Sequence, residues 1–383
     1  MYHRFMDILK LSKSGLNGDE IGRILRMNNV RKYLTGEKMS FLTFLRSERD
    51  KLGPPVAGLR WLPLGLKPRG TPRGKWVQVP PSPVNFESID SVIQSMPMTV
   101  PDTTVLREFG FESAEELRRE RTNLFGFLLG ATVGDASKRV KGVKRFFSRA
   151  LFLELSVNKP NSLRFGQFAS LSANVTLDFG MHQLDNGPVS DKRFGKTEVY
   201  RWLSKSTPLM AWVFNGCLGL QNTETTTYDK LRMNWILEAP RAFRVSFFQG
   251  IGESDGWPDA GHDRVKLVAS PNTVLFKRLL EGLGCRPLVF EQPPVQLLSI
   301  PTDEAFALPL FSPRIGSNLY HDMETLACAK RYPERVPLPW ETIKLIQSLS
   351  RMTSNASKVC LMLAQRTGYK VNGQTVRKYA RLV

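Results

Sequence analysis

Two stretches of this chain carry one apolar pattern. They are Leu124-Phe-Gly-Phe-Leu-Leu-Gly-Ala-Thr-Val-Gly-Asp135 and Arg244-Val-Ser-Phe-Phe-Gln-Gly-Ile-Gly-Glu-Ser-Asp255. In each, large apolar residues surround a small residue at every fourth position, and the run ends in an acid. Aligned without a gap, Gly126 falls on Ser246, Gly130 on Gly250, Gly134 on Ser254 and Asp135 on Asp255. Residues four apart share one face of a helix, so the pattern predicts two helices, each with a smooth Gly/Ser stripe. Such stripes let two helix backbones approach closely. The pair would then end with Asp135 and Asp255 side by side.

The pattern recurs beyond these helices. Leu151–Val157 and Arg264–Val268 read as strands, and each is followed by a Pro-Asn helix start, Lys159-Pro-Asn-Ser-Leu163 and Ser270-Pro-Asn-Thr-Val274, with Pro expected in the first turn. Val199–Leu203 and Val295–Ile300 are further strands, each leading into a helix. Each half therefore runs helix, two strands, helix, two strands, helix, an internal duplication that would make one chain a pseudo-dimer. Ser113-Ala-Glu-Glu116 is a capping box that opens a short acidic-basic helix leading into the first of the two stretches.

The flanks read differently. Residues 1–50 show a helix near Met6–Leu11, a stop at Gly15, a second helix opened by Asn17, and a basic segment Val30-Arg-Lys-Tyr-Leu34. This outline predicts a helix-turn-helix-like unit. Residues 51–112 read as a Pro/Gly/basic arm containing Lys67-Pro-Arg-Gly-Thr-Pro-Arg-Gly-Lys75, which no helix interior accommodates. The halves occupy 113–241 and 242–320. Residues 321–383 form a second helix-turn-helix-like unit, with helices at Trp340–Leu349 and Lys358–Gln365, a stop at Gly368, and a last helix in which Val376-Arg-Lys-Tyr379 repeats Val30-Arg-Lys-Tyr33. Arg31, Lys32, Arg377 and Lys378 are expected to face a nucleic acid.

Charge sharpens this picture. The chain has 383 residues, 54 Lys plus Arg against 35 Asp plus Glu, and a formal charge of +19. That excess predicts a polyanionic partner, nucleic acid ahead of a membrane surface. A cation-dense stretch follows Asp135, with Lys138, Arg139, Lys141, Lys144, Arg145 and Arg149 placed for phosphate contact. The four cysteines form no CxxC and the four histidines no HExxH, so zinc and disulfide scaffolds are not indicated. With no apolar leader and no run of about 18 apolar residues, an intracellular chain, cytoplasmic or nucleoid-associated, is expected. A carboxylate at a helix C-terminus opposes the macrodipole. Two of them together call for a cation, most simply a divalent metal with oxygen ligands.

The residues quoted resemble the LAGLIDADG homing endonuclease family in its single-chain, two-motif form. Leu128–Ala136 is similar to the first motif, and Ala242–Gly256, preceded by Met233-Asn-Trp-Ile236, to the second; the resemblance spans roughly residues 120–315. It implies an α+β fold, a pseudo-twofold duplicated αββαββα arrangement with two antiparallel saddle sheets in the DNA major groove. To this are added the small all-α units at both ends. It implies that Asp135 and Asp255 hold Mg²⁺ beside a scissile phosphate, and that Gly126, Gly130, Gly134, Ser246, Gly250 and Ser254 form the helix interface. Asn158 and Lys159 match a polar and basic pair that the family places after the second strand. In the second half Ala269 and Ser270 stand there instead, and Lys266 is the candidate substitute. Ala136 stands where the family usually has Gly.

The resemblance thus implies a monomeric, Mg²⁺-dependent, sequence-specific DNA endonuclease of the homing type. The terminal helical units also resemble bacterial regulators of the WhiA type, in which the fold serves transcription without cleavage. An RNA-splicing maturase is the third reading.

Overall fold

The structure is a computed structural model that describes residues 11, 14–26, 30, 60–63, 76–79, 84–141, 150–157, 163–184, 189–190, 198–205, 209–220, 229–333 and 336–381. At the N-terminus, α1 (Gly18–Leu25) is opened by Asn17. Its side chain accepts the N–H groups of Asp19 and Glu20, and the Glu20 carboxylate accepts the N–H of Asn17 at 2.8 Å. Ile21 packs on Val30. Arg31, Lys32 and the basic helix expected after Val30 lie outside the described residues.

The arm contains a two-stranded antiparallel sheet, β1 (Arg60–Pro63) with β2 (Trp76–Val79); residues 64–75 between them lie outside the described residues. Its expected extent is corrected. Residues 84–111 belong to the main core, with α2 (Phe86–Ser95) and α3 (Thr103–Glu108) burying Ile89, Val92, Ile93 and Leu106. The helical spacing of those apolar positions is masked in the sequence by the prolines on either side.

The long helix α4 (Ala114–Gly134) starts at Ser113, whose hydroxyl accepts the N–H of Glu116 at 3.1 Å. The reciprocal bond of a capping box is displaced by one residue: Glu116 accepts the N–H of Glu112, and its other oxygen accepts Arg314 at 2.8 Å. Buried Arg121 donates to the carbonyls of Met96, Val175 and Thr176, satisfying buried helix ends that packing would otherwise strand.

Then follow β3 (Ala136–Lys141), β4 (Ala150–Val157), α5 (Leu163–Leu177), β5 (His182–Gln183), β6 (Val189–Ser190) and β7 (Glu198–Leu203). After β7 a helical turn at Leu209–Ala211 runs into a π-helical segment, Trp212–Cys217. The second half continues with α6 (Arg241–Asp255), β8 (Gly256–Asp259), β9 (Arg264–Val268), α7 (Thr273–Glu281), β10 (Leu288–Gln292), β11 (Val295–Pro301) and α8 (Thr302–Ala307). Pro271 does not lie in the first turn of α7. The helix begins at Thr273, and Asn272 before it accepts the N–H of Leu231 and donates to the carbonyl of Asp229.

Both sheets are antiparallel and share one strand order. The first runs β3-β4-β7-β5, with β6 also on β7; the second runs β8-β9-β11-β10. In both, the strand that leaves the long helix forms one edge. The core lies between sheets and helices, with Leu153 and Leu155 on one side and Val265, Leu267, Leu298 and Ile300 on the other. The fold is thus α+β.

After α9 (Asn318–Cys328), the C-terminal unit comprises β12 (Lys330–Arg331), α10 (Trp340–Met352), α11 (Ala356–Thr367), β13 (Tyr369–Lys370) and α12 (Gly373–Ala380). Its three helices pack together around Ile346, Leu349, Val359, Leu363 and Val376. Gly368, in the left-handed region at φ +68°, ends α11, and Asn372 caps α12. All four cysteines are free thiols. Among the described residues no helix is long and apolar enough to cross a membrane.

Candidate functional site

The small-residue stripes meet. A β-carbon built on Gly130 would overlap the carbonyl oxygen of Phe247 and stand 3.1 Å from the amide nitrogen of Ile251. One on Gly250 would overlap the carbonyl of Phe127 and stand 2.5 Å from the amide nitrogen of Ala131. The relation is reciprocal: residues 127, 130 and 131 stand to 247, 250 and 251 as the second set stands to the first. A β-carbon on Gly126 would stand 2.9 Å from the carbonyl oxygen of Phe243, and one on Gly134 would overlap the side chain of Ser254. Ser246 lies half-buried at the rim, lining a cavity with Leu124, Phe127 and Gln249.

This contact brings the ends of α4 and α6 together. Asp135 caps α4, its N–H donating to the carbonyl of Ala131 at 3.1 Å, and Ala136 enters β3 at once. Asp255 is the last residue of α6, and Gly256 opens β8. An oxygen of the Asp255 carboxylate lies 3.5 Å from the β-carbon position of Gly134, the residue before Asp135. Burial pushes the Asp255 carboxyl up to about 6. Two residues earlier, Glu253 is buried and accepts the N–H of Ser312 at 2.8 Å; burial pushes it up to about 7 against the hydrogen bonds from Ser317 and Ser312.

Ala136 and Gly256, matched in sequence, differ in surroundings. Ala136 is buried opposite Leu155 in the ladder. At Gly256 a β-carbon would come 2.6 Å from the carbonyl of Gly252 and 2.9 Å from a methyl of Leu267. A methyl is therefore accommodated in the first half and excluded in the second.

The predicted basic residues separate into groups. Lys138, Arg139 and Lys141 lie in β3, in register with Leu153, Phe152 and Ala150. Lys144, Arg145, Arg149, Asn158 and Lys159 lie outside the described residues. Arg377 and Lys378 are exposed on α12, while Val376 packs inward.

Lys266 is where the structure departs from expectation. Its ammonium donates to Asp259 at 2.7 Å and lies 5.2 Å from the Phe290 ring centroid, with the side chain only 15% exposed. Asp259 also takes the imidazole of His262 at 2.8 Å and the hydroxyl of Ser357 at 3.2 Å. Burial works against the Asp259 carboxylate, yet the bonds and charge from Lys266 and His262 outweigh it and hold its pKa below the ordinary value. Lys266 is thus paired within the fold. Ser270 is likewise engaged, accepting the N–H of Gln296 at 2.6 Å. Near Lys266, Trp257, Leu288 and Phe290 are exposed on the second sheet.

Sequence reasoning missed Asp259 and Asp263. The first ties the β8–β9 turn to α11 through Ser357, and the second binds Arg331 and Lys370 of the C-terminal unit. Asp-Ala-Gly-His-Asp reads as a turn, and no local signal marks what it docks against.

No protein-family model matches the chain, and no curated protein matches it. Solved structures do. It is similar to the homing endonucleases. I-DmoI in complex with DNA and Mn is 16% identical over 50% of this chain and 98% of that one, with a TM-score of 0.36. I-WcaI bound to its DNA recognition sequence is 11% identical, covering 53% and 92%, with a TM-score of 0.35. Full-length DUF199/WhiA from Thermatoga maritima is 12% identical, covering 78% and 96%, with a TM-score of 0.34. Likenesses this distant leave the chemistry to be argued from side chains.

Proposed function

We propose that this chain is a metal-dependent endonuclease for duplex DNA, with Asp135 and Asp255 holding Mg²⁺ at the shared end of α4 and α6. The observation that carries it is the placement of Asp255: a carboxylate half-removed from water, beside the end of a second helix whose cap is another aspartate. Burial raises its pKa. The donor set fits Mg²⁺, which takes hard oxygen ligands and is commonly held by one or two carboxylates, with water and substrate phosphate completing the shell. Among the described residues no group of three or more His, Cys, Asp or Glu side chains could hold a metal ion, so the two carboxylates would have to serve alone. The chemistry supplied by the ion, when bound, is Lewis-acid stabilisation of charge developing on the phosphodiester oxygens.

The chain's own residues do the rest. The glycine contact fixes the separation of the two acids, because backbone meets backbone with no rotamer to relax. Partial burial of Asp255 limits solvent at the carboxylate and strengthens its attraction for a cation. The common strand order and the reciprocal helix contact support an internal duplication, with each sheet lying along one half of the duplex. In the first half, Lys159 and Asn158 are assigned to the phosphate, together with Lys138, Arg139, Lys141, Lys144, Arg145 and Arg149. In the second, Lys266 is withdrawn, so we expect the two DNA strands to be cut at unequal rates.

Incubation with Mg²⁺ and a library of genomic duplexes should give discrete cuts that Asp255→Asn abolishes. Tight binding with no cutting across the library would overturn the reading.

A second reading, a DNA-binding regulator without cleavage, is favoured by the Lys266–Asp259 pair and by Arg377 and Lys378 on a helix-turn-helix-like unit. Under it, an Asp135→Asn, Asp255→Asn double variant footprints as wild type does and needs no metal.

A further inference from the structure

The turn between β8 and β9 is built into the C-terminal unit. The N–H of Gly373, first residue of α12, donates to the carbonyl of Gly261 at 3.0 Å, and the N–H of Gly261 donates to the Ser357 hydroxyl at 3.2 Å. Gly261 comes so close that a β-carbon on Gly373 would stand 3.1 Å from its α-carbon. Asp263, in the left-handed region at φ +53°, takes Lys370 at 2.8 Å on one oxygen and Arg331 at 3.0 Å on the other. The two cations sit on neighbouring parallel strands, with Arg331 opposite Lys370.

A cleft of about 360 Å³ opens between the turn and α12. Arg331, Lys370 and Lys378 line it together with one carboxylate, Asp263, so three Lys and Arg charges face one negative charge. Thr375 and Asn372 add a hydroxyl and an amide. One carboxylate engages one contact from each of Arg331 and Lys370. A guanidinium has five N–H donors and an ammonium three, so donors remain. Lys370 is only 13% exposed and Asp263 18%. Lys370 is therefore held in place at the floor of the cleft, while Arg331 and Lys378 stand exposed at its mouth.

We propose that this cleft binds a backbone phosphate of duplex DNA, so that the second half and the C-terminal unit grip one strand as a single body. The proposal rests on the nucleic-acid reading above and adds Arg331, Lys370 and the β8–β9 turn to the two acids, the basic hairpin and the exposed face of α12. A phosphodiester suits the donors: the planar guanidinium fork matches phosphate oxygens, and an anion offsets the surplus charge. The turn that would otherwise lie free along the duplex serves as the floor of the site.

The test uses the full chain and a random-sequence duplex, with affinity measured as salt is varied. Each lost phosphate contact lowers the slope of log K against log salt by about 0.9. Arg331→Ala and Lys378→Ala, both at exposed positions, should each reduce the slope by about that much, and Lys344→Ala on the far helix α10 should not. Asp263→Asn should weaken binding although it removes a negative charge, because Arg331 and Lys370 lose their anchor. A plain basic patch would bind more tightly after that change. If wild type binds and neither Arg331→Ala nor Lys378→Ala alters the slope, the cleft proposal is wrong and the DNA reading stands. If wild type binds no duplex at low salt, both fall.

Discussion

The carbonyl oxygen of Phe247 occupies the space that a β-carbon on Gly130 would need. Phe127 stands in the same relation to Gly250. Gly130→Ala or Gly250→Ala must therefore push two helix backbones apart, a cost at or above the upper end of the about 1–3 kcal/mol usual for overpacking. Gly126→Ala should cost less, since its closest carbonyl is 2.9 Å away and the other near atoms belong to the Phe243 ring at 3.2 Å. Urea midpoints of the three variants should follow that order.

Asp255 makes stability depend on pH in an unusual direction. Its folded pKa of about 6 lies above the ordinary 3.8, so between those values the folded chain binds more protons than the unfolded one. Stability is then fully present below about pH 4 and declines as pH rises through 6, by on the order of 3 kcal/mol for this group. Asp255→Asn should raise the melting temperature at pH 7.5 while removing cleavage, and Mg²⁺ should raise that of wild type only. A melting curve for Asp255→Asn no higher than wild type at that pH would contradict this account.

Glu253 adds a second window. Its carboxyl is pushed up to about 7 from 4.5, so the same sign applies, with stability lost between those values as pH rises. Glu253→Gln keeps an acceptor for the Ser312 N–H and removes the ionisation. The variant should match or exceed wild-type stability at pH 8, and its pH profile should flatten between about 4.5 and 7.

Lys266 distinguishes a structural lysine from a catalytic one. Lys266→Ala breaks a largely buried pair and leaves Asp259 with His262 and Ser357. The loss should approach the about 3–5 kcal/mol of a broken buried pair, and hydrogen exchange should rise in α11 and the β8–β9 turn. Single-turnover cutting of the remaining folded protein should be unchanged; a large drop would return Lys266 to the active site.

Much of this architecture is written locally. Gly130 and Gly250 announce their contact through spacing, and Asn17, Asn372 and Gly368 mark helix ends by their own chemistry. What stayed hidden depends on partners distant in sequence. Nothing near Lys266 shows that Asp259 will hold it, because that pairing exists only once β8 and β9 are side by side. Nothing in Asp259–Asp263 tells that Ser357, Lys370 and Gly373, about a hundred residues on, will close around it. Ile89 and Leu106 reach the main core from a segment whose prolines read as a tether. Tertiary structure pairs Lys266 with Asp259, whereas Asp135 and Asp255 stand at helix ends that the local pattern predicts.

The stripe of small residues also sets which mutations a second change can rescue. At Gly130 and Gly250 the obstacle is main chain, which no substitution elsewhere can shrink, so genetic suppressors within the facing helix are excluded. At Gly134 the obstacle is the Ser254 side chain. There Gly134→Ala should be tolerated once Ser254→Gly is present, a compensatory exchange that moves the bulk from one helix to the other and leaves the joint closed.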